Sequence, residues 1–150
     1  MKVEIKEASP LDLEFLVDFQ IKMASETEKV TLNHETVTAG VKAVFQDSNK
    51  GSYYVAQLNG QIVGSLLLTY EWSDWRNGCI LWIQSVYVLP DFRSGGVFKS
   101  LFIHVQALVQ KHPGYVGIRL YVDKGNQLAQ RVYRSLGMDG DHYQVFEWIA

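Results

Sequence analysis

Two Asn-Gly pairs, Asn59-Gly60 and Asn77-Gly78, interrupt strand-forming sequence and limit what this chain can fold into more than any other feature. Both residues of such a pair tolerate positive φ, so each favours a tight turn that folds one strand back on the next. Residues 52–58 and 62–70 flank the first pair, and residues 80–89, rich in β-branched and aromatic side chains, follow the second. The reading is an antiparallel meander. Pro90 has no N–H to give a ladder and ends the last strand. Beyond it the period changes: Val97, Leu101, Val105 and Leu108 recur at helical spacing. His112-Pro113-Gly114 stops that helix, and residues 117–122 read as another strand. A strand–helix–strand crossover requires a parallel pair, so the expected sheet is mixed.

The rest of the chain extends this plan. Residues 2–7 alternate as a short strand. Ser9-Pro10-Leu11-Asp12 has the form of a helix start, followed by Phe15, Leu16, Phe19 and Met23 at helical spacing. A second helix is expected from Asn33 to about Asp47, after the polar stretch Ser25-Glu26-Thr27-Glu28-Lys29. Residues 126–136 read as a helix stopped by Gly137, and residues 143–149 as a closing strand. The fold class is therefore α/β (α+β), with a mixed sheet of six to seven strands in a single domain over residues 1–150. With 47% apolar residues, a core needs neither disulfide nor metal. A net charge of −2 argues against binding nucleic acid through bulk charge. The lone Cys79, the absence of a signal-peptide core and the short apolar runs point to a cytoplasmic protein without a membrane partner. The four histidines lack metal-ligand spacing, so no metal is expected.

The chemistry concentrates where the last meander strand meets the helix: Val86-Tyr87-Val88-Leu89-Pro90-Asp91-Phe92-Arg93-Ser94-Gly95-Gly96-Val97-Phe98-Lys99. A helix N-terminus carries unpaired amides and partial positive charge, and glycines let a ligand approach the backbone. A phosphate or pyrophosphate can dock on Ser94 to Lys99, helped by the charges of Arg93 and Lys99. The loop taken alone reads equally as a plain strand-to-helix turn. It is not a P-loop, since Lys99-Ser100 lacks the first glycine at the required spacing, and it lacks the three-glycine pattern of a dinucleotide loop.

Val-Tyr-Val-x-Pro-x-Phe-Arg-x-x-Gly resembles the signature of the GNAT superfamily of N-acetyltransferases, in which a strand runs into Arg/Gln-x-x-Gly-x-Gly/Ala. Arg93 and Gly96 match its first two fixed positions, and Phe98 stands where a small residue is usual. A second block, Asn126-x-x-Ala129-x-x-x-Tyr133-x-x-x-Gly137-Met138, is similar to the family as well. The resemblance implies acetyl-CoA as co-substrate and direct attack of an amine on the thioester. It also implies a splayed parallel strand pair that admits pantetheine, with backbone contacts at Val86, Tyr87 and Val88. By pattern alone those valines are equally sheet core.

Tyr133 matches the family's general acid, and Asn126, a natural helix N-cap by type, is also a cofactor contact in the family. Spacing alone makes Tyr133 a packed helix aromatic. Gln84 stands where some relatives carry a glutamate base; an amide cannot accept a proton at ordinary pH but can orient water or an amine. Other candidate bases are Glu26, Glu28, Glu71, Asp74 and His34. Cys79 has no identifiable partner as a nucleophile. Most free amines are cationic, so carboxylates and tryptophan faces suit an acceptor site. Glu71, Trp72 and Asp74 lie between two expected strands, and the resemblance puts Glu26 and Glu28 on the acceptor wall. The expected partner is thus a small-molecule or peptide amine, with a homodimer suggested by the aromatic closing segment. A catalytically idle acyl-CoA sensor is the competing reading, resting on Gln84 and Phe98.

Overall fold

In a computed structural model, residues 2–150 are described, and their contacts group into two compact units, Met1–Arg119 and Leu120–Ala150. The first unit contains a five-stranded sheet in the order β1-β2-β3-β4-β5. These strands are β1 (Glu4–Glu7), β2 (Ser52–Leu58), β3 (Gln61–Ser73), β4 (Gly78–Val88) and β5 (Tyr115–Arg119). The first four strands pair antiparallel with their neighbours, and β4 pairs parallel with β5. The mixed sheet and its meander-then-crossover order match the expectation; the strand number is lower than the expected six to seven.

The hairpin chemistry is local. Asn59 and Gly60 both hold positive φ, 51° and 79°, as the tight turn between β2 and β3 demands. At the second pair only Asn77 does so, at 47°, and Gly78 is already the first residue of β4. Its glycine has another cause: a Cβ there would stand 2.3 Å from Val116 Cγ1, so a side chain would push β5 away.

Helices α1 (Leu13–Met23) and α2 (His34–Gln46) cover one face of the sheet and α3 (Val97–Lys111) the other. Ser9 and Asp12 cap each other's backbone at the turn before α1, and Asn33 Oδ1 accepts from the Thr36 amide at the start of α2. Leu16, Val17 and Phe19 of α1 join Val41, Tyr53, Val55 and Tyr87 in one core, while Phe15, expected inside, is half exposed. On the other face, Tyr54 lies 5.1 Å from His104 of α3, and Leu101 and Val105 are fully buried. α1 runs directly into a π-helical turn, Ala24–Glu28, which ends at Lys29 in the left-handed region. Such wide turns recur at functional sites.

The second unit carries α4 (Gln127–Ser135). Asn126 Oδ1 accepts from the Ala129 amide at 3.1 Å, so this side chain caps the helix. Gly137, at φ 89°, closes it: its amide bonds to Arg134 O and that of Met138 to Tyr133 O, a Schellman pair.

Two strand expectations need correction. The strand placed at residues 117–122 lies at Tyr115–Arg119. The closing strand at residues 143–149 is not formed; that segment makes no ladder among the described residues, and Phe146 and Trp148 are exposed. Alternating polarity makes a segment suitable for a strand, but only a partner edge makes it one.

Candidate active site

β4 does two things at its C-terminal half. Its parallel register with β5 stops at Trp82↔Arg119, yet β4 runs on to Val88. Against β3, the register passes from Leu67↔Gln84 to Ser65↔Tyr87, which places one extra residue on β4. Ser85 sits in that bulge with φ 52°, a left-handed serine inside a strand. Bulges re-aim side chains and concentrate beside active sites.

The chain then makes a 3-10 turn, Pro90–Phe92, and enters α3 through two more left-handed residues, Ser94 at φ 66° and Gly96 at φ 80°. The first helical bond is Ser100 N to Gly96 O, so the amides of Val97, Phe98 and Lys99 precede it. No side chain caps this 15-residue helix, whereas asparagines cap α2 and α4. Ser94, Gly95 and Gly96 are exposed, and a Cβ at Gly96 would meet nothing of the protein within 4 Å. An uncapped, open helix N-terminus with aligned amides suits a phosphate. Phe98, in place of the usual small residue, packs along its own helix, 6.2 Å from Phe102.

Arg93 does not point away from the strand. Its Nε donates to Val88 O at 2.9 Å, its Nη2 donates to Glu26 Oε2 at 2.6 Å, and its guanidinium lies 5.3 Å from the centre of the Tyr87 ring. Glu26 Oε1 accepts from the Tyr87 hydroxyl at 2.8 Å. The Arg93 hydrogen bond, followed by that of Tyr87, holds the Glu26 carboxyl below the usual carboxylate range. Burial, then Glu26, pushes the Tyr87 phenol up to about 12. Glu26, expected on the acceptor wall, is thus joined to the cofactor loop.

A second polar group spans β3, β4 and β5. Glu71 Oε1 accepts from Trp82 Nε1 at 3.1 Å, and Oε2 accepts from Arg119. Gln84 Nε2 donates to Thr69 Oγ1. Register puts Gln84 opposite Leu67 and Trp82 opposite Thr69, on the sheet face that α1 and α2 cover. Trp72 is adjacent to Glu71 in the strand and so faces the opposite side, where it is exposed. Asp74 lies in the β3–β4 turn, accepting from the Trp75 amide at 2.9 Å. Glu28 is exposed in the π-helical turn, and His34 is exposed at the start of α2, 3.5 Å from Thr38 Oγ1. The first unit therefore brings together Glu26, Tyr87 and Arg93 in one group, and Gln84 and Glu71 with Thr69, Trp82 and Arg119 on a single face. Trp72 and Asp74 stand apart from both.

In the second unit, Tyr133 is half-buried on α4, and burial raises its phenol above the ordinary value. Among the described residues, no group of three or more His, Cys, Asp or Glu could hold a metal ion.

Sequence reasoning missed Ser85, Thr69, Trp82 and Arg119. Trp82 and Gln84 share a face by alternation, which was a usable signal. Nothing in the type of residue 85 or 119 marks its role.

A strand that outruns its parallel partner, a bulge behind it and an uncapped helix N-terminus ahead of it are thus set together at the C-terminal end of β4. The model of the acetyltransferase (GNAT) family matches residues 18–138, and the chain belongs to that family. A possible acetyltransferase from Clostridium difficile 630 is 41% identical, with a TM-score of 0.91, over 100% of this chain and 99% of its own. Two more distant structures share the fold. A transcriptional regulator from Bacillus halodurans C-125 is 22% identical with a TM-score of 0.83, over 99% and 100% of the two chains. Aminoglycoside N-acetyltransferase AAC(6')-Iy in complex with CoA is 17% identical with a TM-score of 0.81, over 99% and 95%. No protein of curated function matches the sequence.

Proposed function

We propose that this protein moves an acetyl group from acetyl-CoA to a primary amine of a small molecule or peptide by direct attack. The observation that carries the reading is the uncapped N-terminus of α3, entered through Ser94 and Gly96 directly after β4. In this reading the amides of Ser94 to Lys99 hold the pyrophosphate, and the backbone of Val86, Tyr87 and Val88 holds the pantetheine. Acetyl-CoA supplies the acyl group as a thioester. A β4 amide faces the carbonyl oxygen, where negative charge develops. The C–N bond forms as the C–S bond breaks; Tyr133 gives its proton to the departing sulfur, and a water held by Gln84, or a carboxylate such as Glu71, takes the proton from nitrogen. Asn126 caps α4 and contacts the cofactor. The family match across residues 18–138 supports one functional domain over residues 1–150. A cytoplasmic setting fits the lone Cys79, which has no second cysteine in the chain to pair with. No helix among the described residues is long and apolar enough to cross a membrane. Release of free thiol from acetyl-CoA across an amine library tests the activity, and no acceptor-dependent release from a protein that binds CoA would favour the idle sensor. One observation favours that second reading: the Glu26 and Glu71 carboxylates are both bonded to arginines, Arg93 and Arg119.

The acceptor is proposed to be a cation held by Glu71, with Glu26 and Glu28 beside it; Trp72 and Asp74, expected to share this site, lie on the opposite face of the sheet and in the β3–β4 turn. Once an acceptor is known, Glu71→Gln is expected to raise KM or lower kcat/KM about tenfold, equivalent to ~1.4 kcal/mol. Trp72→Leu, on the opposite face, is expected to leave these kinetics unchanged; a cation–π contact of about 0.5–2 kcal/mol would instead show as roughly a 2- to 30-fold effect. Asp74→Asn, in the turn, should likewise change little, and none of the three should change CoA affinity. Wild-type kinetics in Glu71→Gln would remove Glu71 from the acceptor site.

A homodimer is also proposed, because Tyr143, Val145, Phe146 and Trp148 leave apolar surface exposed. Light scattering at micromolar concentration is expected to give twice the chain mass of 17.1 kDa. A 17.1 kDa species alone counts against it.

A further inference from the structure

We infer that Glu26 is a positioning residue that transmits occupancy of the CoA loop to the acceptor-side turn Ala24–Glu28, through Arg93. The inference rests on the proposed CoA site. Ala24 is buried, but residues 25–30 are exposed. The turn's own bonds, Thr27 Oγ1 to Met23 O and Val30 N to Ala24 O, hold its winding without tying it to the sheet. Glu26 supplies such a tie twice: one oxygen accepts from Tyr87 of β4, the other from Arg93 at the start of the loop. Arg93 is itself fixed at a second point, through Nε to Val88 O, and at a third by the face of Tyr87. A guanidinium is a planar, rigid fork, so restraint at one prong reaches the other. Arg93 immediately precedes Ser94, and a ligand that fixes residues 94–99 fixes the main chain from which this fork extends. The carboxylate at the far prong is then held in place, and with it the turn. The carboxylate is thereby committed to Arg93 and Tyr87, so Glu26 acts on the acceptor side through position and not by capturing the amine.

Hydrogen exchange with saturating CoA as the probe tests this without knowledge of the acceptor. In the wild type, CoA should slow exchange at residues 97–101 and also, by at least about fivefold, at residues 24–30, the lower end of ordinary site-to-site coupling. In Glu26→Ala, residues 97–101 should still be protected while the response at 24–30 falls below about twofold. Glu26→Gln keeps one acceptor oxygen for Arg93, and its NH2 can donate to the Tyr87 hydroxyl oxygen, so it should retain a response at 24–30. An unchanged or faster rate at 24–30 in a wild type that binds CoA overturns the inference, as does a full response in Glu26→Ala. Loss of CoA binding in Glu26→Ala also overturns it, because Glu26 would then belong to the binding site itself. A wild type that fails to bind CoA removes the proposed function, and the inference goes with it.

Discussion

Gly96→Glu is expected to abolish CoA binding, with at least a 100-fold loss of affinity, about 2.7 kcal/mol. Gly96 holds φ 80°, where an L-residue costs roughly 1–2 kcal/mol. That strain is small against a domain stability of about 5–15 kcal/mol, and a Cβ at this point meets no protein atom within 4 Å. The variant should therefore fold. What changes is the site. A carboxylate at the N-cap of α3 is itself attracted to the amides of Val97, Phe98 and Lys99. It occupies the donors intended for phosphate and repels the ligand's charge. Gly96→Ala separates the two effects, since it carries the strain without the charge and should lose far less affinity. Calorimetry showing unchanged CoA affinity in a folded Gly96→Glu protein would move the pyrophosphate elsewhere.

The parts of this fold legible in the sequence are those set by neighbours in the chain. Asn59-Gly60 fixes its turn because both residues accept positive φ locally, and the crossover helix is written in Val97, Leu101 and Val105. Gly78 was legible as a glycine but not for its reason, which is the approach of Val116 from another strand. Ser85 is the harder case. Serine carries no preference for the left-handed region, so its bulge follows from how β3 and β4 pair and from nothing in their local sequence. The link from Glu26 to Tyr87 and Arg93 joins residues 61 and 67 positions apart, which no periodicity can display. Tyr143 to Ile149 shows the reverse failure: the alternation is present, but a ladder depends on an edge that the segment itself does not encode.

The paired carboxylates narrow the question of the base. Glu26 has its folded pKa depressed, chiefly by Arg93, so its pairing contributes stability above the ordinary carboxylate value and loses it as pH falls through the lower folded value. At neutral pH it is an anion bonded to Arg93 and Tyr87, and a low pKa makes it a poor proton acceptor. Gln84 cannot be protonated usefully; its amide is anchored to Thr69 on the face shared with Glu71, and the proposed mechanism uses it to orient water. Proton removal through such a water demands less of any single side chain than a dedicated base does. Departure of the thiolate then becomes the step most dependent on one group.

In the proposed mechanism that group is Tyr133. Tyr133→Phe keeps the ring and removes the hydroxyl, and turnover is expected to fall by roughly ten- to ten-thousand-fold with CoA affinity largely kept. The magnitude follows from what the proton does: without it the sulfur leaves as a thiolate, the conjugate base of a thiol whose pKa is about 8.5. Burial raises the Tyr133 phenol above its ordinary value of about 10, so the acid form persists through the neutral and mildly alkaline range. The sign is favourable to a general acid, because activity requires the protonated phenol and is lost only as pH rises through the folded pKa. The contribution of Tyr133 should therefore stay flat up to about pH 10 and fall beyond it, and that alkaline limb should be missing in the Phe variant. Asn126 at one end of α4 and the Schellman closure at Gly137 at the other keep the helix wound when the hydroxyl is removed, so a general loss of structure is not the expected cause. Single-turnover rates, taken where chemistry limits, are the appropriate measurement. Undiminished turnover there, with the same pH profile as the wild type, assigns the proton to another donor.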